Sequence, residues 1–332
     1  MKILAIETSC DDTSVAIVED GRKVLANVIS SQIDIHNAFG GVVPEIASRC
    51  HLEFIIPALD EAFEKSGLGW EDIDAVACTN RPGLIGSLIV GVSAAKAIAL
   101  SRNIPLIGVH HLEGHLYANW LMGEEISFPL VCLIVSGGHS DIIYMKDHGK
   151  YEIMARTRDD AAGECFDKSA RALGLGYPGG PVIDRYAKNG NEKAILFPKG
   201  HIDNSLDFSF SGLKTAVLRY IEKTPDYSVA DVCASLERNI CETLTKRTFE
   251  ASKIKQTKQI LVAGGVAANS MLQRMMKNKA EAKGLNICIP KPVLCTDNAA
   301  MVAAAAYFNY MNGLCDGLDL DAFANEPLAS NV

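Results

Sequence analysis

Two histidines four residues apart, His111 and His115 in the stretch HHLEGH (110–115), are the first residues whose types and spacing could do chemistry. At that spacing they share one face of a helix and can offer two imidazole nitrogens to one metal ion. Zinc peptidases use the same pair with a glutamate directly after the first histidine. Here Leu112 takes that place and Glu113 comes one position later. At about 100° per residue, Glu113 lies roughly 200° around the helix from His111, turned away from an ion held by the pair. The spacing predicts a metal centre and argues against a peptidase base. A third ligand is needed, and Asp297 in CTDNAAM, after the last strand and before the last helix, is the best placed carboxylate. An aspartate there could instead cap the helix. Two histidines and one carboxylate with open positions suit Fe(II) best and Zn(II) next. His110 and His139 are further candidates, His139 as a contact to phosphate rather than metal.

Three polar turns have the make-up of phosphate loops: ETSCDDT (7–13), SGGHS (136–140) and AGGVAANS (263–270). Glycines let backbone amides approach an anion closely, and amides at a turn or helix start form a nest for phosphate. A lone Gly-Gly is an ordinary turn, but three such loops after strands at equivalent positions point to a nucleotide. A fourth loop, GYPGGPVID (176–184), combines rigid prolines with Asp184, a carboxylate suited to a ribose hydroxyl, and could equally be a connector.

The elements that must carry these loops read as a duplication. Residues 3–26 and 130–155 each show an apolar strand, a polar turn, a second strand, a Gly-containing hairpin and a third strand. The first half continues with a helical stretch over 44–66, a strand over 74–79, a helix over 85–101 and a strand over 105–109. The second continues with helices to about 254, a strand over 259–263, a helix over 269–283 and a strand over 286–290, before a last helix beginning near Asp297. Two βββαβα halves predict two similar α/β domains facing a cleft. The expected boundaries are 1–127 and 128–296, with a C-terminal helix over 297–332 packing back on the first domain.

A chain of 332 residues with 48% hydrophobic and 22% charged residues has room for two such domains and the balance of a globular protein. No apolar run reaches membrane-spanning length and the start leaves no room for a signal peptide, so a cytoplasmic protein with no membrane role is expected. The ten cysteines lie singly, several in apolar runs, as reduced buried side chains would. A net charge of −8 argues against a dedicated nucleic-acid binder acting alone, although a local basic face is compatible with it. The segment KRTFEASKIKQTK (246–258) is basic enough to touch phosphates, but reads better as a solvated helix face.

Taken together, ETSCDDTSVAIV, GGVVPEIASRCH, HHLEGH, VSGGH, AGECFDKSARALGLGYPGGPVID, FSFSGLKTAV, AGGVAANS and CTDNAAM resemble the bacterial tRNA adenosine threonylcarbamoyltransferases. The resemblance runs from Ile3 to about Tyr310 with the motifs in order; the Gly-rich pieces alone would indicate only the wider actin-like ATPase superfamily. Members were once labelled sialoglycoproteases, in keeping with the peptidase-like histidine pair. One departure is TNRPGLIGSL (79–88), where glycine is expected in place of Arg81.

The resemblance implies an actin-like (ASKHA) fold of two duplicated βββαβα domains around a nucleotide cleft. It also implies transfer of threonylcarbamoyl from threonylcarbamoyl-AMP to the exocyclic amine of an adenosine beside the tRNA anticodon. Carried over by motif, the metal ligands are His111, His115 and Asp297. The adenylate contacts are Val135, Ser136, Gly137, Gly138, His139, Asp167, Gly180, Asp184 and Asn269. Asp11 is the candidate for handling the amine proton, with a turn-shaping role for Asp11 or Asp12 as the alternative. The implied partners are an inactive paralogue forming a heterodimer and a small ATPase. Rival readings are an actin-like ATPase or sugar kinase, which would not need the histidine pair, and a scaffold whose nucleotide site only regulates assembly.

Overall fold

An unbroken apolar run makes β1 (Lys2–Glu7) the centre of its sheet, buried on both faces as a strand between helical layers must be. In the computed structural model, which describes residues 1–200 and 202–328, β1 is followed by β2 (Asp12–Glu19), β3 (Lys23–Ser31), β4 (Ala75–Arg81) and β5 (Leu106–His110). The second half supplies β6 (Leu130–Val135), β7 (Ser140–Asp147), β8 (Lys150–Arg156), β9 (Gln259–Ala263) and β10 (Asn286–Cys288). Among the described residues these form two five-stranded sheets, ordered β3-β2-β1-β4-β5 and β8-β7-β6-β9-β10. Each first strand pairs antiparallel with the second and parallel with the fourth, Ile6 facing Val15 and Cys78 in one sheet and Ile134 facing Asp141 and Ala263 in the other. The identical order is the duplication expected from the sequence. The hairpin between β2 and β3 turns on Asp20 and Gly21, both at positive φ (53° and 63°), the Asp-Gly signature of a twisted two-residue turn.

The chain divides into two compact units, one of Met1–Ile126, His148–Lys150 and the residues from Val293 onward, the other of Ser127–Asp147 and Tyr151–Pro292. In the first unit Leu4, Ile6, Val15 and Ile17 pack on Ile55 and Leu59 of the helix Pro44–Ser66 and on Leu88 and Val92 of the helix Ile85–Arg102. The latter helix is long and apolar enough to cross a bilayer, contrary to the sequence-based expectation, but its inner face is part of this core. The alanine-rich helix Ala299–Met311 packs on β1, β2 and β4, its small side chains permitting close approach. In the second unit the helix Val229–Lys255 packs on β6 and β7, on the helix Ser270–Lys283 and on the helix Gly179–Ala187.

The last helix stops at Met311 rather than continuing to the C-terminus, because Gly313 (φ 80°) turns the chain. The following stretch runs back beside the first sheet, where Asp316 N donates to Leu106 O (2.8 Å) and Phe323 N to Asn80 O (2.9 Å). Residues 329–332 of the expected helix lie outside the described residues. β10 ends at Cys288, two residues short of Pro290, which has no amide to pair.

Candidate metal centre and nucleotide loops

β5 delivers the chain directly into the short helix His111–Tyr117. His110 is its cap: Nδ1 accepts from Leu112 N (3.2 Å) and Nε2 lies 3.0 Å from Glu326 O, so this histidine is occupied structurally. One turn apart, His111 and His115 present their rings to each other at 4.6 Å between centroids. Glu113 points to the far side, where its carboxylate accepts from Asn309 Nδ2 (3.1 Å), as the helical geometry required.

Asp297 closes the group. Its Oδ1 lies 3.5 Å from His111 Nε2 and 3.2 Å from His115 Nε2. The capping role open to it belongs to Asn298, whose Oδ1 accepts from Met301 N (3.0 Å). Both ring nitrogens of His115 are buried without hydrogen-bond geometry to any described residue, an orphaned state that a bound cation at Nε2 would relieve. The three ligand atoms lie within 4.8 Å of one another. With ligand bonds of about 2 Å, the two histidine–aspartate separations already suit one ion. The donor set therefore fits Fe(II) or Zn(II).

Behind His111 stands a partner that sequence reasoning missed. Glu7, wholly buried at the end of β1, faces His111 Nδ1 at 3.3 Å, and Ser9 Oγ lies 3.1 Å from the same nitrogen. Thr79 Oγ1 and Ser9 N donate to the Glu7 carboxylate, each at 2.5 Å. A carboxylate behind a ligating imidazole fixes its orientation and raises its basicity. Burial alone would raise the Glu7 pKa, but the charge and hydrogen bond of His111 and the Thr79 hydroxyl hold it below the usual range. For His111, burial opposes protonation, but Asp297 and Glu7 together push it up to about 9; burial keeps His115 below its ordinary value.

Asp11 sits in the turn after β1, its carbonyl accepting from Gln32 N (3.1 Å). Asp12, the first residue of β2, has Oδ1 buried without a hydrogen bond. Burial, only partly offset by Ser31 and reinforced by Asp297 and Asp11, pushes Asp12 up to about 7. Arg81, the departure from the expected pattern, pairs with Glu326 (3.4 Å) and donates to Asn80 Oδ1 (3.1 Å), anchoring the returning C-terminal stretch. The tight approach of that loop falls to Gly83, where a Cβ would meet Ser9 O at 2.6 Å.

In the second unit, residues 136–139 form the turn between β6 and β7, closed by Ser136 N to His139 O (2.9 Å). Gly163 N donates to Ser136 O (3.2 Å), and Gly264 (φ 89°) would drive a Cβ to 2.4 Å from Val135 O. Gly137 and Gly138 themselves face open space, where an added Cβ would meet no atom within 4 Å. From this turn the helix Ala162–Ala172 leads to Asp167, whose Oδ1 accepts from Gly179 N (2.7 Å); Gly180, next to it, again faces open space. Asp184 accepts from the Ser270 hydroxyl. Asn269 Nδ2 donates to Glu237 Oε1 (2.6 Å) while its Oδ1 accepts from Leu272 N (2.9 Å), so the amide is held at both ends. Glu237 was absent from the sequence reading; burial and Asp184, opposed by the Asn269 hydrogen bond, push it up to about 7. Asp184, Glu237, Ser270 and Arg274 line a cavity of about 280 Å³. Val135–His139, Asp167, Gly180, Asp184 and Asn269 thus occupy one run of connected elements.

The sheets and their helices define an α/β protein of actin-like fold. Solved structures agree: HypF from T. kodakarensis superposes with a TM-score of 0.65 over 94% of this chain and 48% of that one, at 16% identity. Component A of the Acidaminococcus fermentans (R)-2-hydroxyglutaryl-CoA dehydratase gives 0.54 over 92% and 98%, also at 16% identity. These likenesses speak for the fold alone. The family is settled by sequence: the model of the TsaD family, tRNA N6-adenosine threonylcarbamoyltransferase, matches residues 23–304. Relatives bearing that enzyme's name are 53% identical in Symbiobacterium thermophilum (96% of this chain, 95% of the relative) and 54% identical in Dehalococcoides mccartyi (97% of each). The chain belongs to the TsaD family of tRNA-modifying acyltransferases.

Proposed function

We propose that this protein transfers the threonylcarbamoyl group of threonylcarbamoyl-AMP to the exocyclic amine of the adenosine 3′ of the anticodon (position 37). The acceptors would be tRNAs reading codons that begin with adenine, and AMP is released. The observation that favours this over an actin-like ATPase or sugar kinase is the His111, His115 and Asp297 group, a histidine pair that a magnesium-dependent kinase would not need.

An adenine amine is a poor nucleophile, so the acyl donor must arrive activated, and in a mixed anhydride AMP is a good leaving group. Fe(II), or Zn(II), at His111, His115 and Asp297 would supply Lewis-acid polarisation of a carbonyl or phosphate oxygen. Glu7 holds the His111 ring so that Nε2 is the nitrogen presented. Within the turn Val135–His139, closed by Ser136 N and His139 O, the amides of Gly137 and Gly138 receive the phosphate and relieve charge as it departs. Asp167 orders the turn leading to Gly180, Asp184 takes a ribose hydroxyl, and Asn269, fixed by Glu237, takes the nucleoside. As the amine attacks the carbonyl carbon, a C–N bond forms, the anhydride C–O bond breaks, and its electron pair leaves with AMP. Asp11 is our choice to accept the amine proton, a turn-shaping role for Asp11 or Asp12 being the alternative.

The heterodimeric partner we expect is the inactive paralogue, alongside the small ATPase. Leu52, Ile56, Ile85 and Ile89, exposed on two helices packed together in the first unit, offer it an apolar surface. Ten free thiols, most of them buried, fit a reducing cytoplasm. Nucleoside analysis of tRNA after incubation with donor and partners tests the reaction, since a kinase would leave the tRNA adenosine unmodified.

A further inference from the structure

The second unit carries an open groove of about 690 Å³ outside the nucleotide loops. One wall is the segment 195–198, the other the helix Ser211–Lys223. In a chain of net charge −8, none of its lining residues is acidic. Along the helix wall Ser211, Thr215, Arg219 and Lys223 recur every fourth residue, a stripe stepping about 6 Å at a time. Arg219 and Lys223 are exposed and form no ion pair or hydrogen bond with any described residue. Beside the stripe lies Tyr220, half-buried, with its ring edge-on to Phe197 at 6.0 Å between centroids.

We infer that this groove binds the single-stranded anticodon loop of the acceptor tRNA, with phosphates on Arg219 and Lys223 and a base against Tyr220. The inference rests on the tRNA-modifying reading above. Unpaired cations beside an aromatic ring in an acid-free groove are the physical make-up of a single-strand RNA site. The other basic stretch, 246–258, is largely spent within the protein: Lys255 pairs with Glu152 (2.6 Å), and Arg247 and Lys246 with Glu250 (2.8 and 3.9 Å). The groove is also tied to the phosphate turn. Asp159 accepts from Phe210 N (2.8 Å) and Asp160 pairs with Lys214 (2.6 Å), while Gly163, three residues on, donates to Ser136 O. One short segment thus anchors both the groove's helix and the turn that would hold the adenylate phosphate.

The test is binding of unmodified tRNA to the full-length chain, alone and with its partner proteins, by fluorescence anisotropy over a salt series. The double variant Arg219→Glu, Lys223→Glu should weaken binding about tenfold or more and reduce the slope of log K against log salt by roughly 1.5, because two phosphate contacts are lost. Tyr220→Ala should weaken it several-fold, and AMP affinity by calorimetry should be unchanged in each. If charge reversal unfolds the chain, Arg219→Gln with Lys223→Gln should give the same ordering. Unchanged tRNA affinity and slope with AMP binding intact would overturn the groove, as would loss of a partner protein instead of tRNA. A wild-type chain binding no tRNA in either setting would overturn it too. Wild-type tRNA binding without threonylcarbamoyladenosine formation would count against the proposed reaction and leave the groove standing.

Discussion

Asn298 takes the helix-capping hydrogen bond, and that single-residue offset leaves the Asp297 carboxylate facing His111 and His115. The purified protein should therefore carry about one Fe or Zn per chain, and His115→Ala should lose it. Elemental analysis showing full occupancy in the double variant His111→Ala, His115→Ala would remove these residues as ligands. A second outcome follows from Gly137→Val: a Cβ at this position has no protein atom within 4 Å, so the chain should fold. The valine side chain would stand where a phosphate must approach the amides, and adenine-nucleotide affinity should fall by about an order of magnitude or more. Unchanged affinity by calorimetry would move the phosphate elsewhere. The histidine pair and Asp297 were legible because helical spacing and a strand-to-helix junction leave marks in sequence. Glu7 and Glu237 left none. Each acts across the fold, Glu7 through β1 lying beside β4 and Glu237 through a helix packed on the start of the next.

Helices and strands carry these side chains, and the helix Ser211–Lys223 shows how one is held. Asp159 accepts at its start from Phe210 N (2.8 Å), Ser211 N (3.3 Å) and the hydroxyls of Ser209 and Ser211 (2.5 and 2.6 Å). Burial would raise the Asp159 pKa, but these hydrogen bonds hold it below its reference of 3.8. A carboxylate depressed on folding stabilises fully above its unfolded value, and the contribution is lost as pH falls through the lower folded value. Asp159→Asn should thus cost about 1 kcal/mol at pH 7, a modest figure because the group is exposed to water. The difference should shrink below about pH 4. Denaturant unfolding across pH checks this, and a difference that grows toward acid would contradict it. At this scale the sequence was most readable: apolar runs and Asp-Gly or Gly turns marked every strand named from it. What escaped was the stretch after Met311, whose course beside β4 and β5 depends on hydrogen bonds to Asn80 and Leu106 far back in the chain.

Across the whole molecule, one strand order is built twice, with a His-His-Asp group in the first unit and, in the second, the Gly-containing loops we propose for the adenylate. The duplication was legible because both halves repeat strand, turn and hairpin in the same order. Arg81, which broke the expected pattern, proved to be bound to Glu326 in the returning C-terminal stretch, a contact with no local signal. Acyl transfer to tRNA is read by mass spectrometry of the tRNA nucleosides. The assay combines the metal-loaded chain, its bacterial partners, a supply of threonylcarbamoyl-AMP and intact unmodified tRNA. It should yield threonylcarbamoyladenosine with AMP in equal amount, and Asp297→Ala should yield none while remaining folded. Absence of threonylcarbamoyladenosine from the complete wild-type mixture would exclude this protein as the threonylcarbamoyl transferase.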